Sequence, residues 1–188
     1  GEVPLCQVPG DPAYDTAICR DIRAGGRDVF TKEYEITNHS RRDPDLCGSA
    51  EPGAENKCDQ RASHQWDRVQ EMADAFYEPG RFTTFSAFEF TGSDRVTGGW
   101  LHRNVLFRGE QIPEWGGSAV AMRHSPERLW EWLGQACVFP CRVLAIPHNT
   151  NYGGGVVLAP RNSDGTAFTQ DILKRRIQTE PLIEIHRV

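Results

Sequence analysis

Apolar positions along the chain keep two rhythms, and the change between them marks out its elements. From His64 to Tyr77, the residues Trp66, Val69, Met72, Ala73, Phe76 and Tyr77 recur at three- and four-residue steps. That spacing predicts an amphipathic helix, stopped by Pro79-Gly80. The stretch Phe82 to Thr91 is aromatic and β-branched, which predicts a buried strand, and Trp100 to Phe107 predicts a second one after Gly98-Gly99. Ser125-Pro126-Glu127 carries an N-cap residue, a proline at the first helical position and an acidic first turn, so a helix is expected from Pro126 to about Ala136. Arg142 to His148 reads as a third strand, Phe168 to Gln178 as a helix and Pro181 to His186 as a fourth strand.

Helix and strand segments in this alternation predict an α/β fold with a largely parallel sheet. Parallel strands need cover on both faces. The last predicted strand has none after it, so the sequence is expected to be a piece of a larger domain. Before Arg61 the pattern dissolves. Pro4, Pro9, Pro12, Pro44 and Pro52 and the pair Gly25-Gly26 punctuate a loop-rich region, with short helices expected over 13–23 and 26–35. Loops of this length inside a domain need a function or a staple.

Disulfides would supply a staple, with free buried thiols or a structural metal site as the alternatives. Six cysteines are present: Cys6, Cys19, Cys47, Cys58, Cys137 and Cys141. Their spacing lacks the paired Cys clusters of zinc fingers, and an even count in loop-rich sequence fits disulfides formed in an oxidising, periplasmic or secreted compartment. Three local bridges are the simplest pairing, though spacing alone leaves connectivity open. With 21 basic and 26 acidic residues the net charge is −5, and the scattered basic residues argue against a nucleic-acid surface. No apolar run approaches the ~20 residues of a membrane-spanning helix.

In an α/β domain, chemistry collects at the C-terminal ends of the strands. Glu89 stands among Phe85, Phe88 and Phe90, and a carboxylate there is costly to bury unless paired or bound to a cation. His148 follows Leu144-Ala-Ile-Pro147 at the end of a strand, and His102 sits within its strand beside Leu101. One carboxylate and two imidazoles suit Zn, Mn or Fe. Each residue alone also has a structural reading: an ion pair with Arg103 or Arg81 for Glu89, a hydrogen-bonded core or rim position for His102, a turn cap for His148. His39, His64 and His124 read as surface residues, and Trp66, Trp130 and Trp132 as core packing. The run Asn151 to Gly155 lacks the Lys-Ser/Thr ending of a phosphate-binding loop, and no Gly-x-Ser-x-Gly elbow is present.

Five strings occur in order: Glu78 to Thr91, Leu101 to Arg108, Pro126 to Leu133, Ala145 to Asn151 and Glu180 to Ile185. Together they resemble the bacterial "domain of unknown function 3604" family, which is similar to the polymerase and histidinol phosphatase (PHP) group of metal-dependent hydrolases. The resemblance runs from about Pro12 to Ile185 and implies part of a distorted (β/α)7 barrel. Residues 1–60 would form a Cys-rich insertion, and 61–188 a partial barrel truncated at both ends. It implies that Glu89, His102 and His148 are metal ligands, with His186 a further candidate at the edge of the match. Two or three divalent ions (Mn, Zn or Fe) would serve the full-length protein. The family's opening Gly-Asp-x-His-x-His-Thr and its Thr-Asp-His motif are absent here, so about half of the ligand set is expected elsewhere in the parent protein. Arg103 beside His102 and Asn149 beside His148 are the candidates for holding substrate oxygens, with a salt bridge the alternative for Arg103. The function expected is hydrolysis of phosphate esters or related bonds in a small-molecule substrate. A non-catalytic secreted binding domain on the same scaffold is the alternative.

Overall fold

The structure, a computed structural model, describes residues 6–25, 44–48, 57–109, 111–115 and 118–185. The chain divides into two compact units, Gly1–Arg68 and Val69–Val188. In the first, α1 (Ala17–Ala24) starts where the Thr16 hydroxyl accepts the Cys19 N–H, and it ends at Gly25 in a left-handed conformation. Helix α2 (Pro44–Cys47) is a single turn, and α3 (Lys57–Ala75) is the amphipathic helix that the apolar spacing predicts. The core of this unit is small: Cys6, Ala13, Cys19, Ile22, Leu46, Cys47 and Cys58 are buried together. Two disulfides, Cys6–Cys19 and Cys47–Cys58, run through it, and a third joins Cys137 to Cys141 in the second unit. These are three local bridges. The helix expected over 26–35 lies outside the described residues.

The second unit is built on three strands, β1 (Ser86–Ser93), β2 (Trp100–Arg108) and β3 (Arg142–Pro147), in the order β1-β2-β3. Helices α4 (Pro126–Ala136) and α5 (Gln170–Thr179) complete it. The first falls where the capping pattern places it, and the second within a residue or two of the expected span 168–178. Both strand pairs are antiparallel, where the alternation of elements predicts a parallel sheet. For β1 and β2 the reason lies in the connection of residues 94–99, which suffices for a hairpin but not for a parallel crossover; the connection from β2 to β3 is long enough for either direction.

The fourth expected strand is not a strand over its described part. The Glu184 N–H does donate to the Pro147 carbonyl (2.9 Å), as a parallel neighbour of β3 would. The next rung is taken by a side chain, since the Asn149 N–H goes to Glu184 Oε1 (3.1 Å). A carboxylate thus replaces the backbone carbonyl, and the ladder stops.

Pairing register assigns the two faces of the sheet, because directly opposed residues share a face and alternate residues along a strand repeat it. Phe88, Phe90, Leu101, Arg103, Val105, Phe107, Ala145 and Pro147 share one face. Most of these are fully buried. At this face Arg103 Nε donates to Glu180 Oε1 (2.7 Å), as does Trp130 Nε1 of α4 (2.7 Å). One carboxylate at the end of α5 thereby ties β2 and α4 together. The opposite face carries Glu89, Thr91, Trp100, His102, Asn104 and Ile146, and His148 continues it, its N–H donating to the His102 carbonyl (3.2 Å).

Candidate metal centre

Glu89, His102 and His148 come from β1, β2 and the residue just past β3, and the register alone brings them together. Thr91 opposes His102, so Glu89 lies diagonally across from it on the same face. His148 lies beyond the Arg103–Pro147 pair, next to His102. His102 Nδ1 and His148 Nε2 each stand 3.1 Å from the same oxygen, Glu89 Oε1. Potential donor atoms of all three residues fall within 4.8 Å of one another. The imidazoles meet edge to face, 5.9 Å between centroids.

Burial is graded across the cluster. His148 and His102 retain 6% and 9% of their exposure, while the Glu89 side chain keeps 49%. The cluster is therefore open on the carboxylate side. A hydrogen bond from His102 holds the Glu89 carboxyl below the usual carboxylate range, against the opposing effect of burial and with help from the charge of both imidazoles. Glu89 is thus kept anionic, as a ligand must be. With Nε2 turned to Glu89, His148 Nδ1 is buried with no hydrogen-bond partner among the described residues. One anionic oxygen and two imidazole nitrogens converging on it fit a divalent cation.

The neighbours orient the rings. Trp100 stacks on His102 with 4.9 Å between centroids and 3° between planes. Glu184 fixes the turn after His148 through the Asn149 N–H, and Asn149 takes the left-handed conformation (φ 56°).

The remaining candidates separate. Asn149 is buried directly beside His148. Arg103 departs from its expected role: neighbours along a strand point to opposite faces, so it is 1% exposed on the helix-covered face and bound to Glu180. His186 lies outside the described residues, as does His39. His64 is exposed, as expected, but His124 is 3% exposed rather than on the surface, its Nδ1 3.1 Å from the Thr91 carbonyl. Arg81 pairs with Glu78, not Glu89. Glu184 and Trp100 are additions to the site. Glu184 carried the signal that marked Glu89, a carboxylate within an apolar strand-like run. A cavity of about 850 Å³ lies at the far end of the sheet, lined by Tyr77, Thr84, Phe85, Ser86 and Phe107, away from this cluster.

Among known proteins, the model of the family described as "Protein of unknown function (DUF3604)" matches residues 4–188. No curated protein and no solved structure matches the chain.

Proposed function

The chain belongs to the DUF3604 family, and from that premise and its clustered side chains we propose that it forms part of a metal-dependent hydrolase acting on phosphate esters or related bonds of small molecules. The observation that carries this reading is the convergence of one carboxylate and two imidazoles from three neighbouring strands on one open sheet face. Zn, Mn and Fe all accept such donors. Three protein ligands leave room for substrate, water or a second ion. When bound, divalent ions activate water and stabilise charge on the transferring group.

The chain's own residues supply the frame. Glu89 contributes a fixed negative charge, the Trp100 ring sets the plane of His102, and the turn held by Glu184 sets the position of His148. Asn149, buried beside His148, is the residue proposed to hold a substrate oxygen. A distorted (β/α)7 barrel remains the proposed setting; the single backbone bond from Glu184 to Pro147, after β3 and α5, is the contact that favours it. No described helix is long and apolar enough to cross a membrane, and the three disulfides support a periplasmic or secreted location.

Hydrolysis of a phosphoester panel should stop on treatment with a chelator and return with Mn or Zn. Undiminished hydrolysis in chelator would overturn the proposal.

A further inference from the structure

Next to the cluster the same face carries an aromatic stack that metal binding alone does not call for. Trp100 lies parallel to His102, and Tyr152 lies against Trp100 with 5.1 Å between centroids and 31° between planes. Tyr152 is 60% exposed. The rings thus run from a buried candidate ligand out to solvent.

The loop that carries Tyr152 is seated closely. A Cβ on Gly153 would lie 2.7 Å from Val157 Cγ2 and 3.0 Å from the Trp100 carbonyl oxygen, and one on Gly99 would collide with the Gly153 carbonyl. Two glycines therefore let the loop lie on the start of β2 and bring Tyr152 to Trp100. On the side toward His148, polar groups are already engaged. The Asn149 N–H donates to Glu184 and the Thr150 hydroxyl to the Ile185 carbonyl (2.9 Å). Beside the exposed Asn151 the loop presents the Tyr152 ring, and an aromatic ring prefers another planar ring in offset or edge contact.

We infer that Tyr152, backed by Trp100, forms a stacking platform for a planar ring carried by the substrate, so that the esters cleaved are aryl or heteroaryl ones. The inference rests on the proposed hydrolase reading for its reaction, but not for its binding test.

That test is calorimetric titration of the full protein, with and without Mn, using phenylphosphonate, cyclohexylphosphonate and methylphosphonate. Phenylphosphonate should bind roughly three- to tenfold more tightly than either of the others. Tyr152→Ala should remove that margin and Tyr152→Phe should keep it, while Mn titration without phosphonate gives the wild-type affinity in both. A phenyl probe no better than cyclohexyl, or a margin that survives Tyr152→Ala, overturns the platform. Should no ester be hydrolysed, a phenyl margin lost in Tyr152→Ala still supports it. Hydrolysis of alkyl and aryl esters at equal KM, with no phenyl margin in binding, overturns the platform and leaves the hydrolase standing.

Discussion

Removing one charge at Glu89 separates a ligand from a structural partner. Glu89→Gln keeps the size and one hydrogen-bond acceptor but loses the anion that faces both imidazoles. Loss of an outer-shell partner alone typically lowers metal affinity by about 10–100-fold. Glu89→Gln is expected to lower Mn or Zn affinity at least that much by calorimetry, with a change in melting temperature of only a few degrees because half the side chain is exposed. Arg103 gives the opposite pattern. Arg103→Met removes one buried partner of Glu180, with Arg176 (3.4 Å) and Trp130 remaining, and should cost about 1.5–3 kcal/mol of stability in denaturant titration. A stable Arg103→Met protein that has lost only activity would restore the substrate role.

Asp94 supplies the pH test. Burial favours its neutral form, but hydrogen bonds from Arg161 and Thr97 and the Arg161 charge outweigh this and hold its carboxyl below the usual aspartate range. A depressed folded value means that Asp94 stabilises the fold at any pH above the ordinary aspartate value. That stability is lost as pH falls through the folded value. Asp94→Asn should therefore cost about 1–3 kcal/mol at neutral pH, shrinking under acid conditions. An equal cost at both pH values would remove the electrostatic explanation.

Glu89 and His102 were legible as polar residues inside apolar strands and His148 as one at a strand end, but only the ordered family motifs around them favoured a shared cluster over separate structural roles. Arg103 was misplaced by adjacency: the residue next to a ligand on a strand belongs to the other face. His124 escaped because its burial depends on a turn with φ 57° that its neighbours in sequence do not announce.

At the scale of elements, helices were more legible than sheet topology. Ser125-Pro126-Glu127 marks a helix start by local chemistry, and the Thr169 cap, whose hydroxyl accepts the Ile172 N–H, is a second such signal that the expected start at Phe168 overlooks. Strand direction depends on connections, and runs as apolar as 82–91 do not show which face is covered. The tight seat of the loop after His148 yields a prediction. Gly153→Ala overpacks against Val157 and the Trp100 backbone and should cost about 1–3 kcal/mol. It should also shift the Tyr152 ring, seen as altered near-ultraviolet dichroism. Unchanged stability and spectrum would mean the loop does not rest on β2 as described.

For the whole molecule, cysteine count and loop composition foretold the bridges, while the barrel needs strands beyond those described. The first unit owes its core to disulfides: four of the seven residues in its buried cluster are cysteines. Closing loops of 13 and 11 residues is worth roughly 3 kcal/mol each in the chain-entropy account. Reduction should unfold the first unit at a lower denaturant concentration than the sheet, read by hydrogen exchange resolved along the chain. Simultaneous loss of protection in both units would contradict this.

Metal binding by the three-strand cluster is tested most directly by calorimetric titration of Mn or Zn into the wild-type protein and into Glu89→Gln, His102→Ala and His148→Ala. Saturable binding to the wild type, weakened in each variant, is the expected result. Wild-type affinity retained in all three variants, or no binding to the wild type, would contradict it.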